Sequence, residues 1–82
     1  MFNIVFSKNA LEQLNNLPLE IKQRVWDKLQ QCKENPFHFL EHLEDIKGFK
    51  LRIGNYRAIV DLDNSTKIIT VLRVGHRSKI YD

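Results

Sequence analysis

"KLRIGNYR", residues 50–57, has the pattern of a tight β-hairpin, and the prediction of the fold starts from it. Gly54-Asn55 is the kind of two-residue pair that closes such a hairpin, and alternating side chains flank it. With these two residues as the turn, Arg52 lies directly opposite Arg57. Because like charges at opposed positions destabilise a sheet, two facing guanidinium groups indicate a purpose other than stability.

The residues around the hairpin extend it to three consecutive strands. Apolar and polar side chains alternate through "GFKLRI" (48–53) and "YRAIVDL" (56–62), which is the period of strands with one buried face. "DNST" (63–66) is a turn sequence, and "KIITVLRV" (67–74) is the third strand. The face predicted to be buried carries Phe49, Leu51, Ile53, Tyr56, Ala58, Val60 and Leu62, and the face predicted to be solvated carries Lys50, Arg52 and Arg57.

The N-terminal half of the chain has the period of helices. "FNIVF" (2–6) predicts a short strand, after which Ser7 can cap a helix. Pro18 ends that helix and suits the first turn of a second helix, which runs to about Asn35. Residues 36–46 are predicted to be a connector with room for one helical turn. The apolar stripes assigned to the core are Ala10, Leu11, Leu14 and Leu17 on the first helix, and Ile21, Val25, Leu29 and Cys32, widened by Trp26, on the second.

This order of elements predicts one α+β domain over residues 1–82. The order is β-α-α-β-β-β with an optional short last strand, and the helical hairpin packs on one face of a mostly antiparallel sheet. No apolar run reaches the length of a membrane span, and the N-terminus lacks a signal-peptide plan. We therefore expect a soluble cytoplasmic protein that does not engage a membrane. A single cysteine, Cys32, excludes a disulfide framework and a thiolate metal cluster.

Positive charge is concentrated in the C-terminal half. Residues 1–46 hold five Lys/Arg and seven Asp/Glu, whereas residues 47–82 hold eight Lys/Arg and three Asp/Glu. This asymmetry favours a polyanionic partner, nucleic acid first, although a solvated basic surface fits the charge count equally well.

The strand pattern places several of these cations on one face of the sheet. Alternation puts Arg73 and Arg77 on the same face as Arg57 if the third strand continues past Gly75 without a bulge. Asp61 is the nearby acid that the alternation puts on that face. A phosphate is a suitable ligand for such a face, because each Arg offers a planar fork of donors.

The motifs "GFKLRIGNYRAIV" and "VLRVGHRSKIYD", together with the length and the order of elements, resemble the RelE/ParE superfamily of bacterial and archaeal toxins. The resemblance covers essentially the whole chain and implies the RelE-like microbial ribonuclease fold. RelE-like members are endoribonucleases that cut messenger RNA, commonly in the ribosomal A site. ParE-like members share the fold, usually lack the ribonuclease residues and poison DNA gyrase.

The resemblance implies a toxin of a type II toxin-antitoxin system that cleaves messenger RNA at the ribosome without a metal or another cofactor. It also implies a cognate antitoxin protein that wraps the toxin, with the basic face and the helical hairpin as candidate docking surfaces. A ParE-like inhibitor of gyrase that cleaves no RNA is the alternative, and an inactive nucleic-acid-binding remnant is the third interpretation. The positions that match the ribonuclease set are Lys50, Arg52, Arg57, Arg77 and Tyr81, and His76 stands where several relatives carry a basic residue or an acid/base histidine.

Metal-free RNA cleavage needs particular groups around the scissile phosphate. The substrate's own 2′-hydroxyl is the nucleophile, so the protein must supply a base, cations around the phosphate and an acid for the departing 5′-oxygen. The candidate phosphate ligands are Lys50, Arg52, Arg57 and Arg73, and the candidate catalytic residues are Arg52, Arg57, His76, Arg77 and Tyr81. His76 has a reference pKa near 6.5, about right for an acid or a base, and Tyr81 suits stacking or, in a cationic pocket, the role of base.

Other polar residues have simpler explanations. Tyr56 has the parity of the core. His38 and His42 have helical i, i+4 spacing but no accompanying metal motif, so we interpret them as surface residues.

Overall fold

Helices cover one face of a five-stranded sheet in the computed structural model, which describes residues 1–43 and 48–80. The elements are β1 (Asn3–Phe6), α1 (Lys8–Asn15), α2 (Leu19–Glu34), α3 (Pro36–Phe39), β2 (Leu40–His42), β3 (Phe49–Ile53), β4 (Tyr56–Asp63) and β5 (Ile68–His76). The strand order is β1-β5-β4-β3-β2, in which β1 runs parallel to β5 and the other neighbours are antiparallel. The predicted α+β class and mostly antiparallel sheet are confirmed.

The hairpin predicted from residues 50–57 forms with the predicted pairing. Arg52 and Arg57 are Cα partners in the β3–β4 ladder. Gly54 has a φ of +58° and Asn55 does not have a positive φ, which is the pattern of a type II′ turn. Glycine is favoured at the first of these positions because other residues rarely adopt that φ.

The helices begin and end close to the predicted residues. The Ser7 Oγ accepts a hydrogen bond of 3.1 Å from the Ala10 N–H, so the predicted N-cap of α1 is confirmed. Pro18 and Asn35 bracket α2, also as predicted. The main core joins both helices to the central strands, and its fully buried members include Ala10, Val25, Leu29, Cys32, Ala58, Val60, Ile69 and Val71.

Two side chains assigned to the core are instead on the surface. Leu11 is 48% exposed and Trp26 is 46% exposed. Each follows directly after a buried residue, Ala10 in α1 and Val25 in α2. One residue turns the helix by about 100°, which is the width of the buried stripe, so the next position along falls outside it.

The connector between α2 and β3 contains more structure than expected. Its one helical turn is α3, as predicted, but β2 follows at once and pairs with residues 49–51 of β3. β2 has three residues and two of them, Glu41 and His42, are exposed. A strand this short lacks the alternation by which a strand is recognised in sequence.

The β4–β5 ladder contains a bulge that sets the direction of every later side chain in β5. Val71 pairs with Val60 and Arg73 pairs with Ile59, so Leu72 is an extra residue without a partner position. A bulge of one residue shifts the alternation of a strand and re-aims its side chains. Val71 and Val74 therefore both face the core, and Arg73 shares the face of Arg57, as predicted.

Asp63 closes the predicted turn after β4. Its Oδ1 accepts hydrogen bonds from the Ser65 hydroxyl at 2.7 Å and from the N–H groups of Ser65 and Thr66. These bonds, the Ser65 hydroxyl first, hold the pKa of the Asp63 carboxyl below its usual value.

Removing Leu72 tests the bulge directly. Deletion would join Val71 to Arg73, whose partners Val60 and Ile59 are already adjacent, so the ladder should become regular, Arg73 should stay on the face of Arg57, and the free energy of unfolding should fall by no more than about 1 kcal/mol. Leu72→Ala keeps the register and, because Leu72 is 39% exposed, should cost about 1 kcal/mol. Urea denaturation measures both. A loss of more than about 3 kcal/mol on deletion, as for a charge turned into the core, would contradict the assignment of the bulge.

Cys32 should give stability a specific dependence on pH. Burial raises the pKa of its thiol from 9.0 to about 11. Above pH 9 the unfolded chain loses the thiol proton while the folded chain keeps it, so this contribution is complete below pH 9 and is lost as the pH rises toward 11. The stability of wild type relative to Cys32→Ala should therefore fall by about 1.4 kcal/mol per pH unit above pH 9. Urea denaturation of both proteins at pH 8 and pH 10 checks this, and a constant difference would contradict it.

Candidate functional site

The predicted cations occupy the sheet face opposite the helices. Neighbouring positions across the strands form two rows on this face. The first row is Glu41, Lys50, Ile59 and Arg73, and the second is Arg52, Arg57 and Gly75. We call Lys50, Arg52, Arg57 and Arg73 the cationic face. The structure therefore brings all four candidate phosphate ligands together.

Arg52 has an acidic neighbour that the sequence pattern did not indicate. Its Nε lies 3.1 Å from Oε2 of Glu41, and the two side chains are 62% and 52% exposed. Asp61 is the acid expected on this face from the alternation of the strand. It is exposed, and it lies one row beyond Glu41, on the side away from the arginine pair. An exposed ion pair contributes about 0.2–1 kcal/mol, which is similar to the cost of opposed like charges. Glu41 is thus sufficient to offset the electrostatic cost of the arginine pairing.

The cationic face is partly covered, which corrects the expectation that it is fully solvated. Ile59 is buried on this side against Leu43 and Ile80 in a second, small hydrophobic cluster. Ile80 lies so close that a Cβ on Gly75 would come within 2.8 Å of its Cδ1. Gly75 thus leaves room for the residues after β5 to fold back over the sheet.

Arg57 lies deeper in the fold than Arg52. It is half-buried, its Nε atom is enclosed, and its side chain takes part in interactions within the fold. A guanidinium held in this way has fewer accessible rotamers than one on an open surface. Arg57 is therefore the most preorganised of the arginines on the cationic face.

His76 lies on the opposite side of the sheet from the arginine pair. It is the Cα partner of Tyr56, whose ring it meets edge-on at 5.2 Å. The backbone N–H of Ser78 lies 3.2 Å from its Nδ1, and the Ser78 hydroxyl lies 2.8 Å from the same nitrogen. The two rings line a cleft of about 400 Å³ between the end of α1 and the turn after β5.

Arg77 and Tyr81 complete the predicted set. The Arg77 N–H donates a hydrogen bond of 2.9 Å to the Asn55 carbonyl, so the backbone of Arg77 lies against the β3–β4 turn and near the arginine pair. Its side chain is exposed. Tyr81 lies outside the described residues.

Arg24 on α2 is a cation near the site that the sequence analysis missed. Its guanidinium lies over Gly54, where an added Cβ would come within 2.8 Å of Nη2. Arg24 also lines a cleft of about 250 Å³ together with Arg52. The i, i+4 spacing of Arg24 and Lys28 in the sequence indicates one face of a helix, but nothing in it connects that face to the hairpin.

No metal site is evident within residues 1–43 and 48–80, where no group of three or more His, Cys, Asp or Glu side chains is placed to hold an ion. His38 and His42 are both exposed, as predicted; His38 meets the Phe39 ring edge-on, and His42 lies against the Phe49 ring at a tilt of 40°. In the described part of the chain, no helix is long and apolar enough to cross a membrane.

The fold and the cationic face define a small α+β protein with a surface suited to anionic ligands. Residues 4–81 match the family described as the ParE toxin of type II toxin-antitoxin systems. The chain belongs to this family, and it is a toxin of the RelE/ParE kind, as its motifs predicted.

Individual relatives agree with this assignment. The chain is 31% identical to the toxin RelE3 of Methanocaldococcus jannaschii over 96% of its own length and 94% of the relative. Its structure matches the RelBE2 toxin-antitoxin complex of Mycobacterium tuberculosis with a TM-score of 0.84 at 26% identity, covering 93% of this chain and 98% of the matched one. The RelE-RelB complex of Pyrococcus horikoshii matches with a TM-score of 0.80 at 21% identity over 96% and 98% of the two chains, a likeness of fold.

The contact between Gly75 and Ile80 can be tested by a double-mutant cycle. In wild type, Gly75→Ala should force Ile80 to move, which costs about 1 kcal/mol. In an Ile80→Ala background the same substitution should become neutral or stabilising, because alanine restricts the unfolded chain more than glycine does. Urea denaturation of the four proteins gives the coupling. A Gly75→Ala effect that is the same in both backgrounds would contradict this packing.

Proposed function

We propose that this protein is a metal-independent endoribonuclease that cleaves messenger RNA in the ribosomal A site. The observation that carries the proposal is the opposed pair Arg52 and Arg57, with Lys50 and Arg73 in the adjacent row. Among the described residues, the acids that the strand register places on this face are Glu41, Asp61 and Asp63, so the four cations outnumber them by one. Two guanidinium forks across one ladder position suit the non-bridging oxygens of a single phosphate.

In the proposed reaction the 2′-hydroxyl of the RNA attacks the adjacent phosphorus. A base takes the hydroxyl proton, a cyclic 2′,3′-phosphate forms, and the bond to the 5′-oxygen breaks as that oxygen gains a proton. Arg52 and Arg57 stabilise the extra negative charge on the phosphate oxygens in the transition state. Arg77, beside the turn, is assigned to the same clamp or to the leaving oxygen.

Of the two candidate bases, His76 lies within the described residues and Tyr81 does not. His76 shares the sheet side of Tyr56, away from Arg57, and its Nδ1 is engaged by Ser78. We therefore keep Tyr81 as the proposed base and give His76 a role in binding the RNA beside the scissile phosphate.

The antitoxin is proposed to dock on the helical hairpin and across the cationic face. Structural neighbours include complexes of RelE toxins with RelB antitoxins. On the helical hairpin of α1 and α2, three apolar side chains are exposed, which supports a protein partner there: Leu11, Leu19 and Trp26. We propose that both proteins act in the cytoplasm.

Induced expression followed by primer extension on a translated messenger tests the proposal. Wild type should produce discrete breaks within coding sequence. Arg57→Ala and Arg77→Ala should each reduce cleavage by about 10²–10³-fold, the range for removal of one group that stabilises transition-state charge. Lys8→Ala, which removes an exposed cation of α1, is the matched control and should cleave like wild type.

The same experiment separates the other interpretations. Inhibition of gyrase is a second candidate because the matched family is described as ParE and a structural neighbour is described as a YoeB/ParE toxin. Growth arrest with intact messenger, and loss of supercoiling activity by purified gyrase, would replace the ribonuclease with this candidate. A folded protein that causes neither arrest nor cleavage would leave only binding.

A further inference from the structure

The cleft that contains Arg24 lies at the edge of the sheet beside the cationic face. It is lined by Arg52, Ile53 and Gly54 of the β-hairpin and by residues of α2. β2 pairs with residues 49–51 of β3, and among residues 1–43 and 48–80 no strand pairs with this edge beyond Leu51. The residues of α2 that line the cleft are Arg24, Asp27, Lys28 and Gln31.

The residues that line the cleft carry a net charge of +2, which becomes +1 when Glu41, the ion-pair partner of Arg52, is included. Three cations, Arg24, Lys28 and Arg52, face one carboxylate, Asp27. The Asp27 Oδ1 already accepts a hydrogen bond of 2.9 Å from Gln23 on the same helix. Within the described part of the chain, no carboxylate forms an ion pair with Arg24.

The Arg24 guanidinium packs against the turn, and within the described part of the chain it makes no hydrogen bond. The guanidinium lies over Gly54, where the missing Cβ permits the approach. Lys28, one helical turn away, has its Nζ 5.1 Å from the centre of the Phe39 ring. Both cations are therefore positioned over apolar or backbone surface while their N–H groups remain able to meet an anion.

We propose that this cleft binds a second phosphodiester of the RNA, next to the phosphate held by Arg52 and Arg57. Arg52 belongs to both sites, so the RNA backbone leaves the cationic face at Arg52, crosses the edge of β3 beyond β2, and reaches Arg24 and Lys28 on α2. The inference rests on the proposed function for its choice of ligand. A volume of about 250 Å³ suits one phosphate group with its ribose. The proposed contacts are to the RNA backbone and therefore do not recognise the base sequence.

The experiment measures binding of a short single-stranded RNA in which every 2′-hydroxyl is methylated, so that cleavage cannot occur. Fluorescence anisotropy at several salt concentrations gives the slope of log K against log salt for wild type and for the double variant Arg24→Gln, Lys28→Gln. The slope should become shallower by about 1.4, about 0.7 for each lost contact to a single strand. The loss of affinity should be equal for two oligonucleotides of different sequence, because phosphate contacts carry no sequence information.

Lys22→Gln is the matched control, since Lys22 lies on the same helix but does not line the cleft. It should leave the slope of wild type unchanged, and thermal unfolding should show that all variants fold. A double variant with the slope of wild type, or a control with the slope of the double variant, would overturn the proposal. An unchanged slope combined with weaker antitoxin binding would also overturn it, and would assign the cleft to the protein partner.

The outcomes distinguish this inference from the proposed function. If wild type cleaves no messenger but its binding of methylated RNA depends on Arg24 and Lys28, RNA binding by the cleft is supported and the ribonuclease activity is rejected. If wild type cleaves messenger and Arg57→Ala does not, while the double variant binds RNA like wild type, the ribonuclease activity is supported and RNA binding by the cleft is rejected.

Discussion

The structure depends on the register of β5, and the extra residue Leu72 sets that register. Before the bulge, Ile69 and Val71 face the helices, and after it Val74 does. Strict alternation from Val71 would place Arg73 in the core and turn Val74 outward. The offset of one residue therefore satisfies two demands: a continuous apolar core on one side, and a cation opposite Ile59 on the other.

Pairing Arg52 with Arg57 destabilises the fold less than the sequence alone suggests. Like charges at opposed positions cost up to about 1 kcal/mol, and an exposed ion pair such as Arg52–Glu41 returns a similar amount. The fold can therefore hold the pair without a ligand, so electrostatic cost alone does not establish that Arg52 and Arg57 serve a phosphate. The stronger support is that positive charge accumulates on the same face and around its edge, where the cations outnumber the described acids Glu41, Asp61 and Asp63.

Most of the fold could be predicted because its elements are locally specified. The Gly54-Asn55 turn, the Ser7 cap and the period-two strands each follow from a few neighbouring residues, and the pairing of Arg52 with Arg57 follows from the turn. The errors arise where a residue's environment is set by distant parts of the chain. Trp26 has the hydrophobicity of a core residue but lies beside the buried stripe, and β2 exists because β3 offers it an edge.

The candidate site shows the same limit. Sequence parity grouped Lys50, Arg52, Arg57 and Arg73 correctly, but it did not find Glu41 or Arg24, which approach the hairpin from elements 11 and about 30 positions earlier in the chain. Proximity along the sequence also suggested that His76 and Arg77 act together, whereas the register places His76 beside Tyr56. Neighbours in a strand face opposite sides, so a motif of adjacent residues does not by itself define a common site.

One turn links the two phosphate sites proposed for this toxin. Gly54 closes the hairpin with a φ of +58°, and this turn fixes Arg52 opposite Arg57. The same glycine lacks the Cβ that would collide with the Arg24 guanidinium. A side chain at position 54 would thus strain the backbone of the turn and displace the cation above it. Glycine at this position therefore serves both the pairing of the strands and the approach of α2, and the hairpin that determines the fold also determines where the cations of the two proposed sites lie.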